Sequence, residues 1–242
     1  MAPPVTKVTI GPGISIGDGI SIDPLPVTPE LMLSLDAAGY TSGPWIDTVS
    51  GRSFTLYGGV TYSGSYGGIL EFNPTSSQYA QCASSLSDLS TWSVEVWHYY
   101  TGTNTGQSPC IITELYPGST GQINYFMGAL DSSTTNLETG YFNGGFQITP
   151  GGYNLTASNW YQIVGTYNGT DVKLYVNNTL VGQAAVSGNQ PTSSQGGINI
   201  MRRWDNPEYW GGNLGIVNIY QGAFKAGDVA ASWNSKKSRF GL

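Results

Sequence analysis

The sequence is short of charge, cysteine and histidine. Only 10% of its 242 residues are charged, and Cys82 and Cys110 are its two cysteines. Two cysteines without a Cys-x-x-Cys pair provide neither a zinc cluster nor a disulfide framework, and whether they pair stays open. Because His98 is the only histidine, any serine or cysteine nucleophile would have to use it as the base. No apolar run is long enough to span a bilayer, and the first residues lack the apolar segment of a signal peptide.

The balance of charge is acidic. Nine Lys and Arg stand against 15 Asp and Glu, which gives a net charge of −6. Phosphate backbones and anionic lipid surfaces repel such a chain, so we predict neither nucleic acid nor a membrane as a partner. The sequence contains no metal-ligand cluster and no phosphate loop, and we predict no metal and no cofactor. Aspartates in or beside loops keep calcium open as an alternative; they are Asp36, Asp47, Asp131 and Asp205.

Glycine and aromatic residues are abundant, with 34 Gly, 16 Tyr and seven Trp. Both classes disfavour helix interiors and suit short strands joined by turns. We therefore predict an all-β sandwich of two antiparallel sheets with one short helix at Lys225–Trp233. Asn168 with Gly169, and Asn177 with Asn178, predict two-residue hairpin turns. The predicted strands are Leu31–Leu35, Ser53–Tyr57, Ile69–Phe72, Tyr79–Cys82, Trp92–Tyr100, Cys110–Leu115, Ile123–Met127, Tyr161–Tyr167, Val172–Val176, Thr179–Ala184, Ile198–Arg202 and Leu214–Tyr220.

The first thirty residues differ from the rest and are predicted to form an extended arm, followed by one domain over residues 31–242. In an extended chain five isoleucines of this arm share one face. They are Ile10, Ile14, Ile16, Ile20 and Ile22. The arm cannot bury this face alone, which predicts anchoring to a partner or assembly of a homo-oligomer such as a trimer. The alternative is a flexible linker, because Gly-Pro-Gly and Gly-Asp-Gly also favour turns.

Several segments resemble the concanavalin A-like lectin/glucanase superfamily in its laminin-G-like branch. The segments are Trp160–Val181, similar to its central double hairpin; Gly68–Asn73 with Gln78–Ala80, similar to its early strand pair; Trp92–Trp97, similar to the next strand; and Gly196–Arg202 with Gly211–Tyr220, similar to its closing strands. The resemblance implies a jelly-roll β-sandwich. This superfamily contains lectins, hydrolases and structural modules, so the fold does not determine the function.

The sequence departs from the catalytic pattern of the glucanases. Their mechanism uses paired carboxylates, in the pattern Glu-x-Asp followed shortly by Glu. Here Glu95 has Ser93 and Trp97 at the neighbouring positions on its face, and the next acid is Glu114. We therefore predict a structural, hydrogen-bonded Glu95, a structural His98 and no catalytic residue.

One loop between two predicted strands offers the groups that bind sugars. Sugar rings stack on exposed aromatic rings, while polar and charged side chains bind their hydroxyls. The candidate glycan-binding residues are Arg203, Trp204, Asp205 and Tyr209. Further aromatic candidates on other loops are Tyr62, Tyr66 and Tyr116. The alternative is that the loop's aromatic residues pack against the sandwich or a neighbouring subunit.

The arm and the terminal segment Asn234–Leu242 are similar to features of tailed-phage structural proteins. With no signal peptide and a composition typical of proteins that work outside cells, this similarity predicts a non-enzymatic virion structural protein made in the host cytoplasm. We expect it on the virion surface, as a capsid decoration protein anchored by its arm to other virion proteins. The alternative is a glycan-binding adhesin or tail-fibre module that recognises a host-surface glycan, and a glycoside hydrolase is the third option.

Overall fold

A computed structural model of the protein describes residues 28–86, 89–115, 123–129, 136–150, 152–186 and 196–242. The strands in these ranges form two antiparallel sheets that face each other, so the predicted two-sheet sandwich is confirmed. The isoleucines of the arm (Ile10, Ile14, Ile16, Ile20, Ile22), Tyr116 and Asp131 lie outside the described residues.

The strands are numbered in chain order. They are β1 (Glu30–Asp36), β2 (Trp45–Ile46), β3 (Ser53–Tyr57), β4 (Thr61–Ser63), β5 (Ile69–Phe72), β6 (Tyr79–Cys82), β7 (Trp92–Asn104), β8 (Cys110–Leu115), β9 (Ile123–Ala129), β10 (Asn136–Phe142), β11 (Phe146–Ile148), β12 (Tyr153–Asn154), β13 (Asn159–Tyr167), β14 (Asp171–Val176), β15 (Thr179–Ala185), β16 (Ile198–Ile200) and β17 (Trp210–Gln221). One helix, α1, spans Ala226–Lys236 and continues into a 3-10 turn at Lys237–Phe240.

The two sheets are named by the position of the C-terminal helix. The first has the order β15-β14-β13-β7-β17-β5-β4, with β1 beside β17, and is called the helix-side sheet below. The second, called the opposite sheet, has the order β11-β10-β9-β8-β16-β6-β3-β2, with β12 beside β10. On the outer face of the helix-side sheet, the Trp233 ring stacks on Trp97 at 5.7 Å, and Phe240 stacks on Trp97 at 4.8 Å. The C-terminal segment therefore covers part of that face.

The core lies between the sheets and follows the alternation of the strands. Val172, Leu174 and Val176 of β14 are buried in it, as their shared face predicts. Trp92 of the helix-side sheet packs against Tyr125 of the opposite sheet, with ring centroids 5.9 Å apart. Large aromatic rings that cross the interface in this way bury the apolar area that stabilises a sandwich.

The structure corrects four details of the prediction. Asn168 begins a three-residue connection to β14, because its amide bonds to the Asp171 carbonyl; only Asn177 and Asn178, both at positive φ, form a two-residue turn. The strands of the predicted early pair lie in different sheets, β5 in the helix-side sheet and β6 in the opposite sheet. Strand β16 ends at Ile200, because Met201 has a φ of 63°. Helix α1 begins one residue later and ends three residues later than predicted.

Two further features concern the chemistry of the described residues. Both cysteines are free and buried, so they do not form a disulfide. Where the structure describes the chain, no helix has the length and hydropathy needed to cross a membrane.

Candidate functional site

The predicted glycan-binding loop is held together by its own charges. The Arg203 guanidinium lies 4.5 Å from the centre of the Trp204 ring. Its Nε is 2.8 Å from the carboxylate of Asp205, and its Nη1 is 3.3 Å from that of Glu208. The structure thus brings Arg203, Trp204 and Asp205 together, but the guanidinium is already engaged by two carboxylates of its own loop.

The aromatic residues of this loop separate. Trp204 is half-buried on the outer face of the opposite sheet, with ring centroids 6.2 Å from Phe126 and 6.4 Å from Phe146. Tyr209 is buried and lies instead beside Tyr79, at 6.0 Å. Trp204 and Tyr209 therefore do not form a shared stacking surface for one sugar ring.

A different feature, an irregularity between β7 and β17, lies beside a described cleft. Trp210 pairs with Asn104 and Gly212 pairs with Tyr100, so Gly211 alone faces the three residues 101–103. Such bulges redirect side chains and are common beside binding sites. Gly212 has a φ of 137°, and a Cβ there would collide with the Tyr99 carbonyl and the His98 ring. Only glycine fits this position.

The bulge opens a cleft of about 630 Å³ on the outer face of the helix-side sheet. This space, the bulge cleft, is lined by Thr61, Glu71, Phe72, Asn73, Pro74, Gln78, Thr101, Thr103 and Asn213. Thr61, Glu71 and Asn213 lie side by side on three neighbouring strands, as the pairing registers show. The cleft therefore has a row of polar groups across its floor.

The lining presents hydroxyl and amide groups and one carboxylate. Thr61 donates to Glu71 at 3.0 Å, which leaves the second Glu71 oxygen as an acceptor. The side-chain amide of Asn213 makes no hydrogen bond to a described residue. Gln78 has a structural role, because its amide nitrogen donates to the Gly58 and Gly59 carbonyls at 3.1 and 2.8 Å. Of the described lining residues, only Glu71 carries a charge.

His98 lies in the core beneath the cleft and fixes its floor. The indole nitrogen of Trp210 donates to His98 Nε2 at 3.0 Å. Because indole is only a donor, Nε2 is unprotonated and Nδ1 donates to the Asn213 carbonyl at 3.2 Å. Burial lowers the pKa of His98 to about 3, so the ring stays neutral in both bonds. The predicted structural role of His98 agrees with this geometry.

Aromatic side chains continue the polar row of the cleft. Tyr99 is the neighbour of Asn213 across the strand pair, and Trp160 is the neighbour of Tyr99 on the next strand. The Tyr99 and Trp160 rings meet edge to face at 5.6 Å, and Tyr66 meets Trp160 edge to face at 5.1 Å. By contrast, Tyr62 lies against Tyr40 at 5.6 Å.

The carboxylates that the sequence singled out are engaged elsewhere. Glu95 is fully buried beneath α1 and accepts hydrogen bonds from Trp97 and Gln162, at 3.0 and 2.9 Å. Glu114 is buried in the core and accepts from the Leu86 amide at 2.7 Å. Neither carboxylate faces the bulge cleft.

The loop aspartates are also paired. Asp47 accepts from the backbone amides of Ser34 and Val49 at 2.8 and 3.0 Å, and these bonds with those from Ser50 lower its pKa although burial raises it. Asp36 accepts from Arg239 at 2.8 Å. Within the described residues, no cluster of three or more potential metal ligands occurs.

Sequence reasoning missed the residues of the bulge cleft. Glu71, Thr101, Thr103 and Asn213 form no motif along the chain and are brought together only by strand pairing. One local signal was available, because two successive glycines in a strand pattern, Gly211 and Gly212, indicate a bulge or a close backbone approach.

Comparison with known families defines the class of this protein. Residues 74–230 match the Laminin_G_3 family, described as the concanavalin A-like lectin/glucanases superfamily. The match covers more than half of the chain, so the protein belongs to this family, as its resemblance predicted. No curated protein matches the sequence.

Solved structures show the same fold at low sequence identity. Domain 4 of AbnA, a GH43 extracellular arabinanase from Geobacillus stearothermophilus solved with arabinotriose, matches with a TM-score of 0.66 and 15% identity, over 84% of this chain and 98% of that one. The binding domain of Paraclostridial Mosquitocidal Protein 1 matches with a TM-score of 0.64 and 16% identity, over 85% of this chain and 52% of that one. The binding domain of botulinum neurotoxin DC, solved with rat synaptotagmin II, matches with a TM-score of 0.64 and 14% identity, over 85% of this chain and 51% of that one. This chain thus spans about half the length of the toxin binding domains.

Proposed function

We propose that this protein is a non-catalytic carbohydrate-binding domain and that the bulge cleft is its binding site. The observation that carries the proposal is the lining of the cleft, in which hydroxyls, amides and one carboxylate converge on about 630 Å³. Sugars are recognised by such convergent donors and acceptors, and the half-buried Tyr99 lies beside Asn213 at the edge of the polar row.

The charge of the cleft defines the class of sugar. Glu71 is an acceptor for sugar hydroxyls and repels carboxylated or sulfated sugars, and the net charge of −6 acts in the same direction. We therefore propose neutral oligosaccharides as ligands. Arabinotriose is a rational first probe, because a solved structure of the same fold contains it.

The same lining supports binding without hydrolysis. Glycoside hydrolases place two carboxyl groups about 5 to 10 Å apart on either side of the bond that they cleave. Among the described residues that line the bulge cleft, Glu71 is the only carboxylate. Glu95 lies beneath α1, where its oxygens are taken up by hydrogen-bond donors. A single carboxylate can orient a sugar but cannot supply both the acid and the base or nucleophile.

The test is a glycan array followed by calorimetry with arabinotriose and with every neutral oligosaccharide that the array retains. Glu71→Gln and Asn213→Ala are expected to weaken binding about tenfold or more, because each removes a partner of a sugar hydroxyl. Asn234→Ala, which changes an exposed amide on α1, is the matched control. If the wild type retains no glycan, the proposal is wrong; if only Trp204→Ala abolishes binding, the site is the predicted loop of Arg203, Trp204, Asp205 and Tyr209.

The isoleucine arm favours a second role for the same chain. Its five isoleucines, which share one face in an extended chain, favour anchoring, and the proposal that they attach the domain to the surface of a virion is compatible with glycan binding by the domain. This role, the virion partners and the phage origin stay predictions, since the arm lies outside the described residues.

A further inference from the structure

Tyr66 has an unusual backbone conformation for an exposed aromatic residue. Its φ and ψ of 52° and 30° lie in the left-handed region, which is unfavourable for a residue with a side chain. The side chain is nevertheless 44% exposed, so burial of the ring does not compensate for this conformation. Strained residues persist where the surrounding structure holds them, and they concentrate at binding sites.

The main chain around Tyr66 is held by Arg239. The guanidinium donates to the Tyr66 carbonyl at 2.7 Å and to the Gly68 carbonyl at 2.8 Å, and its remaining nitrogen is paired with Asp36. Gly68 has a φ of 122°, and a Cβ there would lie 2.6 Å from the Ala37 carbonyl. The segment is thus fixed from both sides, which presents the Tyr66 ring at low entropic cost to a ligand.

Tyr66 belongs to a row of rings that begins at the bulge cleft. The row consists of Tyr66, Trp160 and Tyr99 and is called the aromatic ledge. Trp160 is buried and contacts both tyrosines edge to face, so it sets their orientation. Strands in a sheet are about 4.8 Å apart, so Tyr99 and Trp160 lie about 5 and 10 Å from Asn213 along the row. A ligand that reaches from Asn213 to the rings beyond Tyr99 must therefore span about 10 Å, which is more than one sugar ring.

We infer that the aromatic ledge is a second subsite, on which an oligosaccharide whose end occupies the bulge cleft stacks a further sugar ring. This inference rests on the proposed function. The apolar face of a sugar ring packs on an aromatic face while its hydroxyls remain in water, and such a contact suits the partly exposed Tyr66 and Tyr99. The preferred ligand is then a neutral chain of three or more units.

The test uses neutral homo-oligosaccharides of one to six units, in arabinose, xylose, glucose and mannose series, titrated by calorimetry. Wild-type affinity is expected to rise roughly two- to tenfold between two and four units. Tyr66→Ala and Tyr66→Gly remove this rise and leave the affinity for the shortest bound unit unchanged, whereas Tyr66→Phe retains it. Tyr66→Gly also relieves the left-handed strain, so its melting temperature is expected to equal or exceed that of the wild type.

Tyr62→Ala is the matched control, because Tyr62 is 43% exposed and lies against Tyr40 rather than on the aromatic ledge. If the wild type binds a short oligosaccharide without gain from added units, or if Tyr66→Ala keeps the gain, the ledge is not a subsite although the cleft binds sugar. If no oligosaccharide of any length binds, the proposed function and the ledge fail together.

Discussion

Glu114 is a carboxyl group inside the hydrophobic core. It pairs across the strands with Tyr125 and Ile198, and it accepts a hydrogen bond from the Leu86 amide. Burial raises its pKa to about 8, although the Tyr125 hydroxyl, the Leu86 amide and Arg52 act in the opposite direction. The native protein therefore keeps this glutamate protonated at neutral pH, whereas the unfolded chain ionises it near 4.5.

This difference predicts the effect of Glu114→Gln. A raised native pKa favours folding below pH 4.5, and this advantage is lost as the pH rises towards 8. One pH unit corresponds to about 1.4 kcal/mol, so ionisation of the unfolded chain at pH 7 disfavours folding by roughly 3 kcal/mol. The uncharged variant is expected to unfold several degrees above the wild type at pH 7 to 8, and at the same temperature at pH 4.

Thermal unfolding between pH 4 and pH 9 checks this expectation. Glu30→Gln, the same change at an exposed glutamate, is the control and leaves the melting temperature within about a degree. A variant that is less stable than the wild type at pH 8 would show that Glu114 is ionised in the native core.

Single-residue roles were predictable where a residue's own chemistry decided them. A lone histidine in a run of strand residues indicated a structural role, and the two bonds of His98 agree with it. The role of Trp204 could not be deduced in this way, because Phe126 and Phe146 contact it from β9 and β11, which are distant in the sequence. The place of Glu71 in the cleft could not be deduced for the same reason, since Asn213 and Thr101 come from other strands.

At the scale of elements, the buried carboxylate of Glu95 links helix α1 to its sheet, in addition to the stacking of Trp233 on Trp97. Lys236 lies 3.3 Å from Glu95, and the Ser232 hydroxyl donates to it from the same helix. From the sheet, Gln162 and Asn218 donate at 2.9 and 3.1 Å. Burial raises the pKa of Glu95, but Lys236 and these donors outweigh it, so the pKa lies below its ordinary value.

Glu95→Gln is expected to loosen the helix. The variant replaces one of the two accepting oxygens by an NH2 group, which faces donors and cannot accept from them. Breaking a buried ion pair typically costs about 3 to 5 kcal/mol. Because the pKa of Glu95 is lowered, its contribution is present above pH 4.5 and is lost as the pH falls below that value. The acid limb of the stability curve should therefore be flatter in the variant than in the wild type.

Hydrogen exchange of the amides in residues 226–236 measures this detachment directly. Glu30→Gln again serves as the control. Unchanged protection of the helix amides in Glu95→Gln would contradict the anchoring role, because Trp233 and Phe240 would then hold the helix without the carboxylate.

Elements were predictable where hydrophobic alternation was clear. Strand β14 has its valines and leucine on one face and was identified from that pattern. Strand β10 was not among the predicted strands, because the inward position between Leu137 and Tyr141 is the polar Thr139, which interrupts the apolar alternation. The bulge formed by residues 101–103 opposite Gly211 follows from pairing between strands that are more than 100 residues apart, which no local pattern records.

At the scale of the whole molecule, the described sandwich begins just after the predicted arm. Strand β1 begins at Glu30 and pairs with β17, and Pro29 packs near Gly222. The described core consists mainly of residues from the two sheets, with Ala37, Leu86, Leu89, Leu155 and Met201 added from the connecting segments. The domain should therefore fold alone, which makes the role of the arm separable by experiment.

Deletion of residues 1–27 is expected to leave the melting temperature and glycan binding of the domain unchanged and to convert an oligomer into a monomer. The physical reason is that five isoleucines on the predicted extended face would be unfavourable in water, so we expect the full chain to bury them against other copies. Light scattering of both forms over a range of concentrations measures the mass.

A full-length variant with serine at positions 10, 14, 16, 20 and 22 keeps the length of the arm and removes only its apolar face, so it should also be monomeric. If the wild type and this variant have the same mass, the isoleucines do not assemble copies of this chain, and the arm must bind a different protein, such as the capsid partner that the sequence predicts.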